Sequence, residues 1–540
     1  MPKLLSPLVL FHVLLAPASC AQSDFWVFFR DKPAFSEREI AACFDERAVS
    51  RRKKAGVSWD AFDAPVSAAY LAAVAATGAE IKYASRWLNA AACRLSPGQS
   101  ESLLAFDFVK AVRPCARLRS VRDLSVETAA NIEQTLDFTY GNSLNQNRII
   151  RTDTLHALGY TGRGTVVAVF DDGFLNANTI SGFAALRDEG RILGVYDYVD
   201  NDSTVYDVGG HGTAVLSVLA AHLPGTLIGP AHGASFYLFR TENGTSETLS
   251  EEYNWVAAAE RADQLGADIC QTSLGYLTFD DGLGDHTYSD IDGNTTVITL
   301  AADLAASRGM VVVNSAGNEG NNSWGYIIAP ADGDSVLACG SVNASRVRSA
   351  FSSRGPTFDG RIKPDVMAMG QSVTFQSYTG GIGTASGTSF SAPLISGLAA
   401  CLLQAAPYAA GYATHRAIVQ ASDRFFNPDN LYGHGIPDGF AALRIVSGLN
   451  PESVWPGDAD ADGFVDAADL FLAAAAYGRS GPARSVSGTL WQAYPAPPVW
   501  NTLSHIRGRV VNDRYADANG DGVINLFDVA LTVAARGFSH

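Results

Sequence analysis

Positive charge is scarce in this chain. Its 39 Lys and Arg stand against 55 Asp and Glu, for a formal net charge of −16, which argues against the clustered basic face that nucleic-acid binding needs. The one basic run, 51–54, follows closely on Asp45 and Glu46 and reads as a solvated helix face or loop. Cysteine is sparse too. Cys20, Cys43, Cys93, Cys115, Cys270, Cys339 and Cys401 are scattered, without the paired spacing of a metal site or the density of a disulfide scaffold. They read mostly as small buried hydrophobes, with one or two bridges open if the chain is exported. Long apolar runs are missing beyond the N-terminus: no uninterrupted stretch of about twenty apolar residues follows it, so no transmembrane segment is expected. With 47% hydrophobic and 17% charged residues, the composition is that of a globular chain rather than a disordered one.

What the N-terminus has is Lys3, an apolar run over 4–15, and small residues at Ser19, Cys20 and Ala21. This is the layout of a secretory signal, expected to be cut after Ala21, and it makes the protein secreted or extracellular. Lipid attachment at Cys20 is the competing fate, and Pro17 stands where a lipoprotein signal has Leu. At 540 residues the chain must hold two to four units, each with its own core. Strand-like 25–30, 81–95 and 108–112 alternate with helix-like 36–52, 68–77 and 100–106, which suits a small α+β domain over 22–118. A linker and N-terminal segment over 119–150 follows. From 151 to 450, β-branched runs at 165–170, 235–239, 269–274 and 310–314 alternate with helical 213–221, 252–265 and 297–307. That rhythm predicts an α/β, doubly wound parallel sheet with reactive groups at the strands' carboxyl ends.

Hydrolysis of a peptide by a hydroxyl needs a base for its proton, an acid to orient that base, and donors for the oxyanion. Asp171 ends a buried strand in Val-Ala-Val-Phe-Asp-Asp-Gly, and His211 opens a helix in Gly-Gly-His-Gly-Thr. Ser389 sits at a helix N-terminus in Gly-Thr-Ser-Phe-Ser-Ala-Pro, where the dipole favours negative charge. Singly, each has a plain reading as a cap or turn residue. Together they follow the chain order Asp, His, Ser, which resembles the order of one known class of serine-protease triad.

On these blocks the stretch 162–442 resembles the catalytic domain of the subtilisin-like family, the subtilases. The resemblance extends to Val-Val-Val-Asn-Ser-Ala-Gly-Asn318, to Phe-Ser-Ser-Arg-Gly-Pro356 and to Lys-Pro-Asp365. It implies that Asp171, His211 and Ser389 form a catalytic triad and that Asn318 donates its side-chain amide to the oxyanion. It also implies that Ser273, Leu274 and Gly275 pair with the substrate backbone as a strand, with Ser315, Ala316 and Gly317 also on the substrate side. The expected activity is that of a serine endopeptidase on extended polypeptides, acting through an acyl-enzyme on Ser389. Two departures stand out: Asp172 where the family usually has Ser or Thr, and Phe390 where Met is common. Residues 22–118 resemble the family's inhibitory propeptide in size, alternation and position, which implies an autoprocessed precursor. The competing classes are an exported binding protein on an inactive protease scaffold and an acid peptidase of the sedolisin kind. His211 and Asn318 speak against the second, and the intact set of four against the first.

The last segment, 451–540, holds two acidic repeats about sixty residues apart, each followed by a helix-like stretch and a Gly suited to a helix C-cap, Gly478 and Gly537. Asp458, Asp460, Asp462, Phe464, Asp466 and Asp469 occupy ligand places of a calcium loop, with Gly463 at the turn. Asp517, Asn519, Asp521, Val523, Asn525 and Asp528 repeat the pattern around Gly522. The pair resembles dockerin and implies structural calcium as a cofactor. The connection 478–516 is longer than in a typical dockerin, which favours an internal calcium-stabilised module over a cohesin-like partner.

Overall fold

The computed structural model describes residues 23–447 apart from 97, 116–138, 281 and 283. Beyond these it describes 453–459, 465–481, 483–484, 488–490, 494–495, 503–506 and 509–536. The expected signal segment, much of the expected linker and four places of the first acidic loop (Asp460, Asp462, Gly463, Phe464) lie outside the described residues, as does Gly537. The chain divides into two compact units, 1–34 with 64–116 and 35–63 with 117–540.

In the first unit the strands β1 (Ser23–Phe29), β2 (Glu80–Ser85), β3 (Ala90–Leu95) and β4 (Val109–Cys115) form an antiparallel sheet in the order β2-β3-β1-β4. Alternation along β1 sends Val27 and Phe29 into the core, where Val74 of the helix Ala68–Ala76 and Leu103 of the helix Gln99–Leu104 meet them. The result is a β-α-β-β-α-β unit. The strand-like patch 81–95 is a hairpin: it turns ahead of β3 at Asn89, a residue type that tolerates the φ of +48° found there.

Residues 35–63 lie inside the segment read as one α+β domain, yet they pack with the second unit. They form two helices, Glu37–Ala41 and Glu46–Ala55, and Asp45 stands at the start of the second in extended backbone without a side-chain cap hydrogen bond. The first half of the basic run on that second helix is not solvated: Arg51 and Arg52 are buried, while Lys53 is exposed and Lys54 half-buried. Arg52 makes a bidentate pair with Asp63 (2.8 and 2.9 Å) and reaches Asp263 (2.7 Å), and Arg51 pairs with Asp263 on its other oxygen. Arg52 also lies over the rings of Phe44 and Trp59, and Arg308 reaches Asp60. Opposite charge brought from distant parts of the chain makes burial of these cations possible.

The second unit is built on seven parallel strands. These are β5 (Val166–Asp171), β6 (Ile192–Asp197), β7 (Ser235–Arg240), β8 (Ile269–Thr272), β9 (Val311–Ser315), β10 (Val336–Val342) and β11 (Val366–Met369), in the order β11-β10-β9-β8-β5-β7-β6. Every residue of β5 is buried, as a strand covered on both faces requires. Val167 and Val169 join a core that includes Leu216 and Leu219 of the helix Gly210–Ala220 and Leu394 and Leu398 of the helix Thr388–Ala405. On the other face Trp255 of the helix Leu249–Leu265 stands edge-on to Phe170 at 5.5 Å. The strand order reverses at β5, so its carboxyl end is a switch point where a crevice opens. The helix Thr388–Ala405 is long and apolar enough to cross a membrane by length and composition, but 83% of it is buried inside the fold.

Among the described residues, Cys43, Cys93, Cys270, Cys339 and Cys401 are free, and all but Cys43 are buried. In the C-terminal part the helices Ala467–Ala475 and Leu526–Ala534 follow the two acidic loops as their pattern predicts. The glycine C-cap does not form on the first: the helix ends on right-handed Ala476, and Gly478 takes its φ of +81° two residues later.

Candidate active site

Asp171 is the last residue of β5 and is fully buried. Its Oδ1 is 2.7 Å from His211 Nδ1 and also accepts the N–H of Asp172 (2.9 Å), while Oδ2 has no hydrogen-bond partner among the described residues. His211 is the second residue of its helix. Glycine next to it is obligatory: a Cβ at Gly212 would lie 2.1 Å from Gly173 O and 2.8 Å from Asp171 Cβ. Asp172 Oδ1 accepts the Gly212 N–H at 3.0 Å and so ties the histidine turn to the end of β5. Burial disfavours the imidazolium, but the charge and hydrogen bond of Asp171, helped by Asp172, outweigh it and raise the His211 pKa to about 9. Burial, and then the charge of Asp171, push Asp172 up to about 6.

Ser389 lies in the first turn of the helix Thr388–Ala405. Its N–H has no described partner, one of the free donors every helix start presents. Its Oγ donates to Ser273 O at 2.9 Å, and its carbonyl accepts from Ser273 Oγ at 2.8 Å. That second bond follows from the sequence: Pro393, four residues on, has no N–H to give the Ser389 carbonyl. Asn318 is exposed, and its Oδ1 accepts both the N–H (2.9 Å) and Oγ1 (3.1 Å) of Thr388. Two donors on one oxygen fix the amide's orientation and leave its NH2 to point elsewhere.

His211, Ser389, Asn318, Ser273, Leu274, Gly275, Ser315 and Gly317 line one cavity of about 320 Å³. Ala316 does not: it is fully buried, and its N–H bonds Cys339 O at the sheet. Five elements thus converge on one rim, namely the ends of β5, β8 and β9 and two helix starts. The arrangement offers a hydroxyl, an oriented imidazole, a buried carboxylate and two free N–H donors.

The region 162–435 matches the subtilase family, and 24–131 matches the peptidase S8 propeptide domain of Bacteroidota. The chain belongs to the subtilase family. It is 28% identical to subtilisin E of Bacillus subtilis over 372 residues, 68% of this chain and 84% of that one. To subtilisin DY of Bacillus licheniformis it is 32% identical over 266 residues, 48% of this chain and 84% of that one. To the serine protease AprX of Bacillus subtilis it is 28% identical over 378 residues, 64% of this chain and 77% of that one. This subtilase is a serine-type protease with polypeptide substrates, and its propeptide domain makes it a precursor with an internal partner.

The subtilase cleft has further members that motif reading missed. Asp172, Glu242, Asn243, Gly244, Thr245, Ser246, Glu247, Asp280 and Glu319 line it as well. They come from loops, where no periodicity marks a residue as facing a site. Thr388, which holds Asn318, was hidden by its ordinary look as a helix-start residue.

In the C-terminal part, Asp517 and Asp528 are fully buried, and Asp458 and Asp469 nearly so. Asp517 accepts the N–H groups of Gly520 and Gly522 (2.8 and 2.9 Å), and Asp528 those of Asn519 and Asn525 (3.1 and 2.8 Å). Burial holds both carboxyls above their usual range. Asp469 repeats the pattern in the first loop, accepting from Ala459 and Asp466 at 2.7 Å each. Among the described residues, the groups of three acid or histidine side chains within 4.8 Å are Asp171, Asp172, His211 and Glu242, Glu247, Glu251. The second loop would therefore need the oxygens of Asn519, Asn525 and Val523 beside its carboxylates.

Proposed function

We propose that this subtilase is a secreted endopeptidase that cuts extended polypeptides through an acyl-enzyme on Ser389. Asp171 holds the His211 ring by its Nδ1–H, so that Nε2 is left free as the base. On substrate arrival the Ser389 hydroxyl leaves Ser273 O, gives its proton to Nε2, and its oxygen attacks the carbonyl carbon. The oxyanion that forms is met by the Asn318 NH2 and the Ser389 N–H, and His211 then returns the proton to the leaving amine. A water molecule, deprotonated by His211, releases the acyl group. Ser273, Leu274 and Gly275 supply backbone for strand pairing with the substrate.

The observation that carries this reading is the 2.7 Å Asp171–His211 bond on the same rim as Ser389 and an Asn318 whose orientation Thr388 fixes. Loss of one oxyanion donor costs roughly 100-fold to 1,000-fold in turnover, a figure taken from subtilisin itself. The test is expression of the wild type beside Ser389→Ala. Propeptide loss and hydrolysis of an unfolded protein are expected in the first and neither in the second; equal behaviour removes the assignment.

Residues 1–21 serve as the export signal, on the charge and apolar pattern of the sequence. The two acidic loops fit structural calcium: carboxylates are buried at their first and last places, and loop N–H groups already hold the Asp517 oxygens in place. Calcium would there neutralise charge and fix each loop onto its helix, making 451–540 an internal stabilising module.

A further inference from the structure

The subtilase cleft is strongly acidic. Five carboxylates, Asp172, Glu242, Glu247, Asp280 and Glu319, line it together with His211 and Ser389, and no Lys or Arg does so among the described residues. Glu242 differs from an ordinary surface acid. It follows β7 directly, is only 7% exposed, and its Oε1 is held by the hydroxyls of buried Tyr276 and of Thr241. Its Oε2 accepts no hydrogen bond from any described residue, yet the side chain lines the cleft. Opening on the cleft rather than sealed in the core, that oxygen keeps its acceptor capacity for a donor that a ligand brings.

Two ligand classes could answer that oxygen, a divalent cation or a cationic side chain of the substrate. Glu247 and Glu251 lie close enough to Glu242 to share a cation. Both oxygens of Glu251, however, are engaged by the N–H groups of Asn243 (3.0 Å) and Thr248 (2.8 Å), in the capping box that starts the helix Leu249–Leu265. What faces the cleft is Glu242 Oε2 with Glu247, too few oxygens for the six to eight of a calcium site. They suit one ammonium or guanidinium group, which brings a single charge and several N–H donors.

Resting on the peptidase reading, we infer that Glu242, with Glu247 beside it, selects polypeptides carrying Lys or Arg at one position near the scissile bond. The loop 243–247 and the segment Ser273–Gly275 line the same cavity, so a substrate strand paired with Ser273–Gly275 lies within reach of Glu242. Burial and the charges of Glu251 and Glu247 otherwise hold the Glu242 carboxyl well above its usual range. A substrate cation supplies the positive charge that a bound proton would.

The test is a positional scan of internally quenched peptides, with Arg, Lys, Gln or norleucine at each of six positions around the bond. It is run on the wild type, Glu242→Gln, Glu242→Asp and the less buried Glu247→Gln. At one position kcat/KM for Arg or Lys is expected to exceed that for Gln or norleucine by about 10-fold to 100-fold. Glu242→Gln should bring that ratio to within about threefold, Glu247→Gln should lower it, and Glu242→Asp should keep part of it, with the change mainly in KM. Hydrolysis of unfolded protein without any cationic preference overturns the inference, as does a preference that all three variants retain. A preference abolished by EDTA and restored by calcium assigns the cluster to a metal instead. Inactivity of the wild type towards every peptide and protein sinks the peptidase reading, and this inference with it.

Discussion

Two adjacent carboxylates at the end of β5 do different work. Asp171 orients His211, while Asp172 spends one oxygen on the Gly212 N–H and adds negative charge beside the imidazole. As the proposed base, His211 must be neutral to take a proton from Ser389, and its pKa is raised to about 9. Activity should therefore be low near neutrality and rise with pH through about 9, as kcat/KM measured from pH 6 to 11 will show. Asp172→Asn keeps the acceptor for Gly212 and removes the charge, so its profile should move to lower pH; an unmoved profile denies Asp172 that influence. The same shift has a stability sign. A histidine whose folded pKa lies above its unfolded value of about 6.5 contributes stability present below that value and lost as pH rises through about 9. Asp171, His211, Asn318 and Ser389 could be picked out in sequence because each sits in a glycine-bearing block that close approach demands. Glu242 could not, since a lone Glu in Thr-Glu-Asn-Gly looks like any loop acid until the fold places Tyr276 against it.

At the scale of elements, the helix Glu46–Ala55 shows how a charge run misleads. Arg51 and Arg52 sit beside acidic neighbours in sequence and suggest a wet face, yet both are almost completely buried. Their partner Asp263 lies more than two hundred residues away, at the end of the helix Leu249–Leu265, where no local pattern could announce it. Removing the shared acid leaves buried guanidinium charge short of a partner. Asp263→Asn in the unprocessed Ser389→Ala chain should cost about 3–5 kcal/mol by denaturant unfolding, whereas breaking the exposed Arg346–Asp423 pair should cost about 0–1 kcal/mol. Equal losses would place Asp263 among ordinary surface acids. The strands β5, β7, β8 and β9 were legible to within a few residues, because strands buried on both faces read as unbroken β-branched runs, whereas β6, β10 and β11 were not read from the sequence. The split of 36–52 into two helices was less so: Asp45 is a cap only by its backbone angles, φ −65° and ψ 151°.

For the whole molecule, an excess of acid is distributed to three places: the cleft, the buried pairs of residues 35–63, and the C-terminal loops. The buried pairs have partners within the chain, and for the cleft we infer a cationic substrate side chain. On the proposal that the loops hold calcium, it should bind the full-length Ser389→Ala chain in calorimetry, and Asp517→Ala should remove one of the sites; undiminished binding would place calcium elsewhere. The order of α+β unit and doubly wound unit followed from composition and rhythm. That 35–63 crosses from one unit to the other did not, since a chain's return to a distant helix leaves no mark in local sequence. All of this matters to function only if one hydroxyl is the nucleophile. The most direct measurement is treatment with a fluorophosphonate followed by peptide mass spectrometry: a single phosphonyl adduct on Ser389, formed in step with loss of activity, is the expected result. Full inactivation with the adduct on another residue, or full activity with Ser389 modified, would contradict the account.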